Sequence, residues 1–237
     1  MKEVYFSEYY DLKGNVKKRK KVSKANVVFF AGLKYLFDRF FSIFLLILLS
    51  PLLLITGIAI KIDSKGPVFF KQIRTGKHGK HFYMYKFRSM VADNDVRDLS
   101  KSDEFTKVGK VIRKLSIDEL PQLINIAKGD MSFIGPRPWI PEYYENMNEA
   151  QQRRCVVRPG ITGLAQVMGR NEISIFKKIE YDLEYIKNYS MLQDFIIILL
   201  TIKTIFSGKG VDAGKEGIQN ELEELKKANS SNKAVSS

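Results

Sequence analysis

The sequence predicts an α+β fold, mostly helical and membrane-associated. It should contain a membrane helix broken at its midpoint, interfacial amphipathic helices and a small β element. Three observations lead there. Residues 40–60 are an uncharged apolar run with Ser50-Pro51 at its centre. Two β-rich stretches follow within the next thirty or so residues. Most of what remains shows helical periodicity.

The chain begins with a polar, basic stretch. Residues 1–24 hold eight basic and three acidic side chains, including Lys17-Lys18-Arg19-Lys20-Lys21. Near an anionic membrane each basic side chain is worth about 1 kcal/mol of attraction, and the apolar run downstream favours that use over a merely solvated tail. No signal peptide is expected, because the first apolar run starts only near residue 27.

The 21 residues between Arg39 and Lys61 carry no charge. That is long enough for a hydrocarbon core of about 30 Å, and too apolar on all faces for a soluble core helix. Pro51 removes one helical hydrogen bond and kinks the helix, while the Ser50 hydroxyl can satisfy a freed carbonyl. Each half then reaches roughly 15 Å, about mid-bilayer. Lys34 and Arg39 flank one end, Lys61 and Lys65 the other. A re-entrant helix keeps both basic flanks inside, while a kinked span does not, and the residues alone leave both forms open. Replacing Pro51 by Leu should favour a straight span.

Pro67–Arg74 and His81–Arg88 read as strands around a turn that does not match a phosphate-binding Walker loop. Residues 91–104 read as helix or loop. Leu120, Leu123, Ile124 and Ala127 form one face of a helix starting near Asp118 and closed by Gly129. Residues 130–171 give little periodic signal. Residues 172–190 form an amphipathic helix, and Met191–Phe206 is an interrupted apolar helix suited to an interface. The tail from Asp212 reads as disordered beyond a short helix near Glu221–Lys227.

Length and charge bound the function. At 237 residues the chain suits one domain with appendages. A net charge of +13 calls for an anionic partner: nucleic acid, acidic lipid or phosphorylated substrate. No recognisable nucleic-acid module interleaves aromatics with the basic clusters, so nucleic acid is not expected. Cys155 is the single cysteine, which excludes an internal disulfide and fits a reducing, cytosol-facing compartment. With only His78 and His81 available as bases, it is not expected to be a nucleophile.

The candidates for chemistry are cations around one acidic pair. Ser116-Ile117-Asp118-Glu119 matches a helix capping box, a purely structural reading. Alternatively, a carboxylate at a helix start stays ionised and an adjacent one can hold Mg²⁺. Arg113 lies just upstream. The prolines of Gly135-Pro136-Arg137-Pro138 restrain Arg137, whose fork suits a phosphate. Lys86, Arg88, Arg158, Gln166 and Arg170 complete the polar set.

Taken in order, Lys86-Phe87-Arg88-Ser89-Met90, Arg113 to Gln122, Gly129 to Pro138, and Arg158 to Gly163 resemble the bacterial sugar transferase family, the monotopic polyprenyl-phosphate phosphoglycosyl transferases. The resemblance covers about residues 30–211, including Ser50-Pro51. It implies a re-entrant membrane helix (26–62) and a catalytic domain with interfacial helices (63–211), and leaves outside it the basic extension (1–25) and the polar, disordered tail (212–237). It implies Asp118 as nucleophile toward a UDP-sugar, a covalent sugar-phosphoryl aspartate, release of UMP, and transfer to polyprenyl phosphate. Glu119 would bind Mg²⁺, and Lys86, Arg88, Arg113, Arg137, Arg158, Gln166 and Arg170 would serve the phosphates. It also implies priming of a surface glycan such as capsule or exopolysaccharide, at the cytoplasmic face of the bacterial plasma membrane and among anionic lipids. The sugar and the oligomeric state, a homo-oligomer included, are left open. Two other readings compete. A non-catalytic anion binder would use the charge alone, and a multi-span transferase would need more apolar segments than this chain offers.

Overall fold

The computed structural model describes residues 8–10, 16–18, 24–91, 105–169, 172–207 and 215–235. Strands β1 (Glu8–Tyr10) and β2 (Val16–Lys18) pair antiparallel within the basic extension, whose remaining residues lie outside that description.

Two helices follow, α1 (Lys24–Leu48) and α2 (Ser50–Asp63), with Leu49 between them. Their bend is 62°. Its cause is local. Pro51 has no N–H to give the Ile47 carbonyl, and Ser50 Oγ donates to that oxygen instead at 2.7 Å. Among the described residues no single helix is long and apolar enough to cross a membrane, but this bent pair passes the test together. Phe40, Phe44, Ile47, Leu54, Ile55 and Ile62 are exposed along it. The opposite side is packed. Leu45, Leu46 and Leu49 lie against Met84, Leu123, Ile126 and Met131, and Ile60 is buried with Phe87 and Ile112.

The expected strand pair is β3 (Phe69–Thr75) and β4 (His81–Phe87), antiparallel from Phe69↔Phe87 to Thr75↔His81. A 3-10 turn, Lys77–Gly79, joins them. The expectation for residues 91–104 falls almost wholly outside the described residues. Helix α3 (Lys107–Lys114) is capped by Thr106, which accepts from Gly109 N.

The helix expected to start near Asp118 starts later. Ile117–Glu119 is a 3-10 turn, and α4 is Gln122–Lys128, with Pro121 at its N-cap. Gly129 closes it in the left-handed region, φ 87°, as expected. A side chain there would also meet the Tyr35 ring of α1 at 3.0 Å.

Residues 130–171, which carry little sequence signal, form short elements. Strands β5 (Ser132–Ile134) and β6 (Gly160–Thr162) pair in parallel around α5 (Pro141–Glu145) and α6 (Glu149–Gln152), and α7 (Leu164–Met168) follows. The amphipathic helix is α8 (Ile175–Lys187). Helix α9 (Met191–Ser207) is two-faced, exposing Met191, Phe195 and Ile198 while burying Gln193, Ile197 and Leu200.

The tail differs from expectation. Helix α10 spans Lys215–Val235, well beyond Glu221–Lys227. Leu225 is fully buried with Tyr143, Met147, Ile175 and Ile179, and Tyr143 Oη donates to Glu221 Oε2 at 2.9 Å. One apolar side chain every turn or so is enough to dock a polar helix, which a composition-based reading overlooks.

Candidate active site

The Asp118-Glu119 turn is built by an uncommon backbone choice. Ser116 adopts φ 56°, ψ 20°, a left-handed conformation that costs a non-glycine residue about 1 kcal/mol. Its side chain makes no cap hydrogen bond, so the capping box suggested by the sequence is absent. The chain turns sharply out of α3, and both carboxylates are free for other partners. The turn leads into α4, whose Leu123 and Ile126 pack on Leu45, Leu46 and Leu49 at the break, while Ile117 packs on the cluster of Ile60, Phe87 and Ile112 beside α2.

Glu119 is the centre of a cationic cage. Lys86 Nζ, from β4, donates to Glu119 Oε1 at 2.6 Å, and Arg137 Nη2 donates to the same oxygen at 3.0 Å. Burial alone would raise the Glu119 pKa; Lys86 and Arg137 outweigh it and hold the carboxyl far below its usual range. Asp118 behaves oppositely. It is buried, no side chain among the described residues hydrogen-bonds to it, and burial pushes its pKa up despite the nearby Lys86 and Arg113. A neighbouring Glu119 charge pushes the same way. Two adjacent carboxyls driven apart in this manner are a pattern shared by acid-base and nucleophilic centres and by structural ion-pair networks.

Arg137 is held from behind. Arg154 Nη2 donates to the Arg137 carbonyl at 2.8 Å and is itself locked to Asp182 Oδ2 at 2.6 Å. The Arg154 guanidinium also lies 3.7 Å over the Trp139 ring. Sequence reading missed this support, because Arg154 and Asp182 are 28 residues apart and neither belongs to a motif.

The predicted residues thus divide. Asp118, Glu119, Lys86, Arg113 and Arg137 share one electrostatic site. Arg113 also stacks on Phe105 at 4.6 Å. Arg88 is turned elsewhere: its guanidinium bonds the Ser64 and Lys65 carbonyls and the Ser64 hydroxyl, closing the C-terminus of α2. Arg158 does the same for α4, donating from Nε to Gly129 O at 2.8 Å while lying 4.0 Å over the Tyr35 ring. The cause is the same in both: the bare carbonyls of a helix end attract a cation as a phosphate does. Gln166 donates to Ile161 O at 3.3 Å and contacts none of the caged groups, while its Oε1 is buried without a partner. Arg170 lies outside the described residues.

No three His, Cys, Asp or Glu side chains converge among the described residues. Mg²⁺ does not need such a cluster, since one or two carboxylates with water and phosphate oxygens suffice. The donor chemistry here fits it. Glu119 is kept ionised, and the hydrogen bonds it accepts go to Oε1, leaving Oε2 to face a metal.

A carboxylate held by a lysine and an arginine, with a second buried carboxyl beside it, thus lies close to the apolar bent helix pair. The chain matches the bacterial sugar transferase model over residues 29–208 and belongs to that family; it is a transferase. It is 48% identical over 181 residues to a Bacillus subtilis (strain 168) protein named uncharacterized sugar transferase EpsL, covering 76% of this chain and 90% of that one. It is 44% identical over 173 residues to the UDP-N-acetylgalactosamine-undecaprenyl-phosphate N-acetylgalactosaminephosphotransferase of Aeromonas hydrophila, covering 69% of this chain and 41% of that one. It is 45% identical over 196 residues to the UDP-glucose:undecaprenyl-phosphate glucose-1-phosphate transferase of Klebsiella pneumoniae, covering 78% of this chain and 41% of that one. The chain therefore spans about two-fifths of the length of the last two.

Proposed function

We propose that this protein moves a sugar 1-phosphate from a UDP-sugar to polyprenyl phosphate, as the priming step of a bacterial surface glycan. The observation that carries the proposal is the pair itself: an ionised Glu119 bridging Lys86 and Arg137, beside a buried Asp118 that has no side-chain hydrogen bond among the described residues. Names of relatives that act on UDP-sugars and undecaprenyl phosphate support the substrate classes. Relatives named for N-acetylgalactosamine and for glucose are 44% and 45% identical, so likeness does not choose the sugar.

The reaction runs in two displacements. An Asp118 carboxylate oxygen attacks the β-phosphorus of the donor, the bond from that phosphorus to the bridging oxygen breaks, and UMP leaves with the electron pair. A phosphate oxygen of the lipid then attacks the aspartyl phosphosugar. The phosphorus–Asp118 bond breaks, the carboxylate is regenerated and polyprenyl diphosphosugar departs. Splitting the transfer lets a soluble donor and a lipid acceptor use one site in turn. Lys86, Arg113 and Arg137 offset the phosphate charge. Lys86 and Arg113 also pull the Asp118 pKa down against the effect of burial. Glu119 would hold Mg²⁺, which supplies further charge compensation to the diphosphate.

The bent α1–α2 pair would dip into the cytoplasmic leaflet of the plasma membrane and return, with the basic flanks and the extension against anionic lipid headgroups. This reading is supported by the 62° bend and by the exposed apolar sides of both helices. A lipid-linked phosphate would meet Asp118 beside α2, where Ile117 packs with Ile60.

The test is UMP release from a panel of UDP-sugars by detergent-purified protein with undecaprenyl phosphate and Mg²⁺. UMP should appear with one or two donors and vanish in Asp118→Asn. UMP release by a folded Asp118→Asn protein would overturn the mechanism. Glu119→Gln should shift the Mg²⁺ titration to higher concentration, and an unmoved titration would remove Glu119 as the ligand.

A further inference from the structure

Helix α10 docks on the rest of the chain, and the two displacements above give it no task. Its hold is small. Leu225 is fully buried among Tyr143, Met147, Ile175 and Ile179, and Leu222 packs beside it. Glu221 accepts from Tyr143 Oη at 2.9 Å and pairs with Lys178 of α8. The remaining side chains from Ile218 to Lys227 are exposed. A helix held by so few groups opens well before the packed elements beneath it unfold.

What α10 touches leads to the site. Tyr143, held by Glu221 and Leu225, lies ring to ring with Trp139 at 5.0 Å. The Trp139 ring carries the Arg154 guanidinium at 3.7 Å, and its carbonyl accepts from Thr75 N at 2.8 Å, which ties it to the end of β3. Arg154 in turn donates to the Arg137 carbonyl at 2.8 Å. The Arg137 side chain is 43% exposed and bonds Glu119 through Nη2, so its aim depends on where its backbone is held. Each link is a ring face or a hydrogen bond between buried or half-buried groups, and close-packed groups pass a displacement on rather than absorb it.

We infer that α10 is a positioning strap for Arg137: docked, it sets Tyr143 and Trp139 against Arg154 and so fixes the Arg137 fork for the donor; undocked, it frees that fork and weakens donor binding. This rests on the reading of Arg137 as a donor-phosphate residue. Glu221 and Leu225 act only through Tyr143, Trp139 and Arg154. Asp118, Lys86 and Arg113 lie outside this series of contacts, so donor KM should respond and kcat should be spared.

The experiment compares the full chain, detergent-purified, with its Leu225→Asp, Leu225→Met and Glu221→Gln variants. Donor KM and kcat come from UMP release, and the emission of Trp139, the single tryptophan, reports docking. Leu225→Asp should shift that emission to longer wavelength and raise donor KM about three- to thirtyfold, the span such couplings cover, with kcat within about twofold. Glu221→Gln should lie between, and Leu225→Met should stay near wild type. A synthetic peptide of residues 215–235 added to Leu225→Asp should restore emission and KM together. In an Arg154→Met, Asp182→Leu background, Leu225→Asp should add nothing to the donor KM, because the link is already cut. Shifted emission with donor KM unmoved would overturn the strap, as would an additive rise in that background. Loss of kcat and melting temperature alongside KM would make α10 a structural element only. Emission unmoved by Leu225→Asp would overturn the docking. A wild type that releases no UMP with any donor would remove the reading of Arg137, while the emission shift would still show the docking.

Discussion

Replacing Pro51 by Leu tests what holds the hairpin bent. The substitution restores an N–H to the Ile47 carbonyl and removes the ring clash, a gain of about 3 kcal/mol for a straight helix. From the sequence, that gain favours a span. The structure opposes it with anchors at the far end of α2. Ile60 is buried with Phe87 and Ile112, worth about 2 kcal/mol or more. Arg88 bonds the Ser64 and Lys65 carbonyls and the Ser64 hydroxyl, each bond from a charged donor worth about 1.5 kcal/mol or more. Asp63 Oδ2 accepts from Val108 N at 2.8 Å, a cap-type bond worth about 1 kcal/mol. Swinging α2 away loses all of these, at least twice what the proline costs. Pro51→Leu alone should therefore leave both basic flanks on one side. Adding Arg88→Met brings the terms near balance and should give a mixed population. The assay is labelling of Ala25→Cys and Lys65→Cys, in a Cys155→Ser background, with an impermeant maleimide on intact spheroplasts. Labelling of position 65 from outside in the Pro51→Leu single variant would refute the anchoring argument. Labelling of the two positions from opposite sides in the parent would refute the hairpin itself.

Three other outcomes are expected. Asp118 carries a folded-state pKa above its unfolded one, so ionising it costs stability; the cost sets in as pH rises through the ordinary carboxylate range and persists above the folded pKa. Asp118→Asn should accordingly melt higher than wild type at neutral pH and no higher at acid pH, as scanning calorimetry would show, while wild-type turnover falls on the acid side before an ordinary carboxylate would protonate. Removing one partner of the Arg154–Asp182 pair, whose side chains are 3% and 1% exposed, should cost about 3–5 kcal/mol in denaturant unfolding. Arg154→Met with Asp182→Leu should recover most of that but keep a raised KM for the donor, because the Arg137 carbonyl has lost its support. Arg158→Gln should lower stability by about 1–3 kcal/mol and leave the donor KM unchanged, since its fork serves Gly129 and Tyr35; a KM effect without a stability effect would return it to the phosphate site.

What could be read from the sequence is what is local. Pro51 acts on the carbonyl four residues back, and Ser50 is within reach of it, so the break and its remedy follow from adjacent residues. Gly129 after a four-residue apolar repeat closes α4 for the same reason. The strand pair around Lys77–Gly79 was legible from composition and a turn. The site was legible only in part. Asp118 and Glu119 stand out as a pair, but the pairing of Glu119 with Lys86 and Arg137 joins residues 33 and 18 positions away. Nothing local ranks those two above the other basic residues.

The arginines make the physical reason plain. Arg88 and Arg158 stand in motifs as conspicuous as that of Arg137, and a guanidinium fork is indifferent to whether the oxygens it meets belong to a phosphate or to the last turn of a helix. In this chain Arg88 closes α2 and Arg158 closes α4, while Arg137 bonds Glu119 in the turn itself. Motif position singles out cations, and tertiary structure decides which of them bond a helix end and which bond the Asp118-Glu119 turn. The division is measurable: the helix-end arginines should move unfolding free energy and spare nucleotide affinity, and Arg137 at the turn should do the reverse.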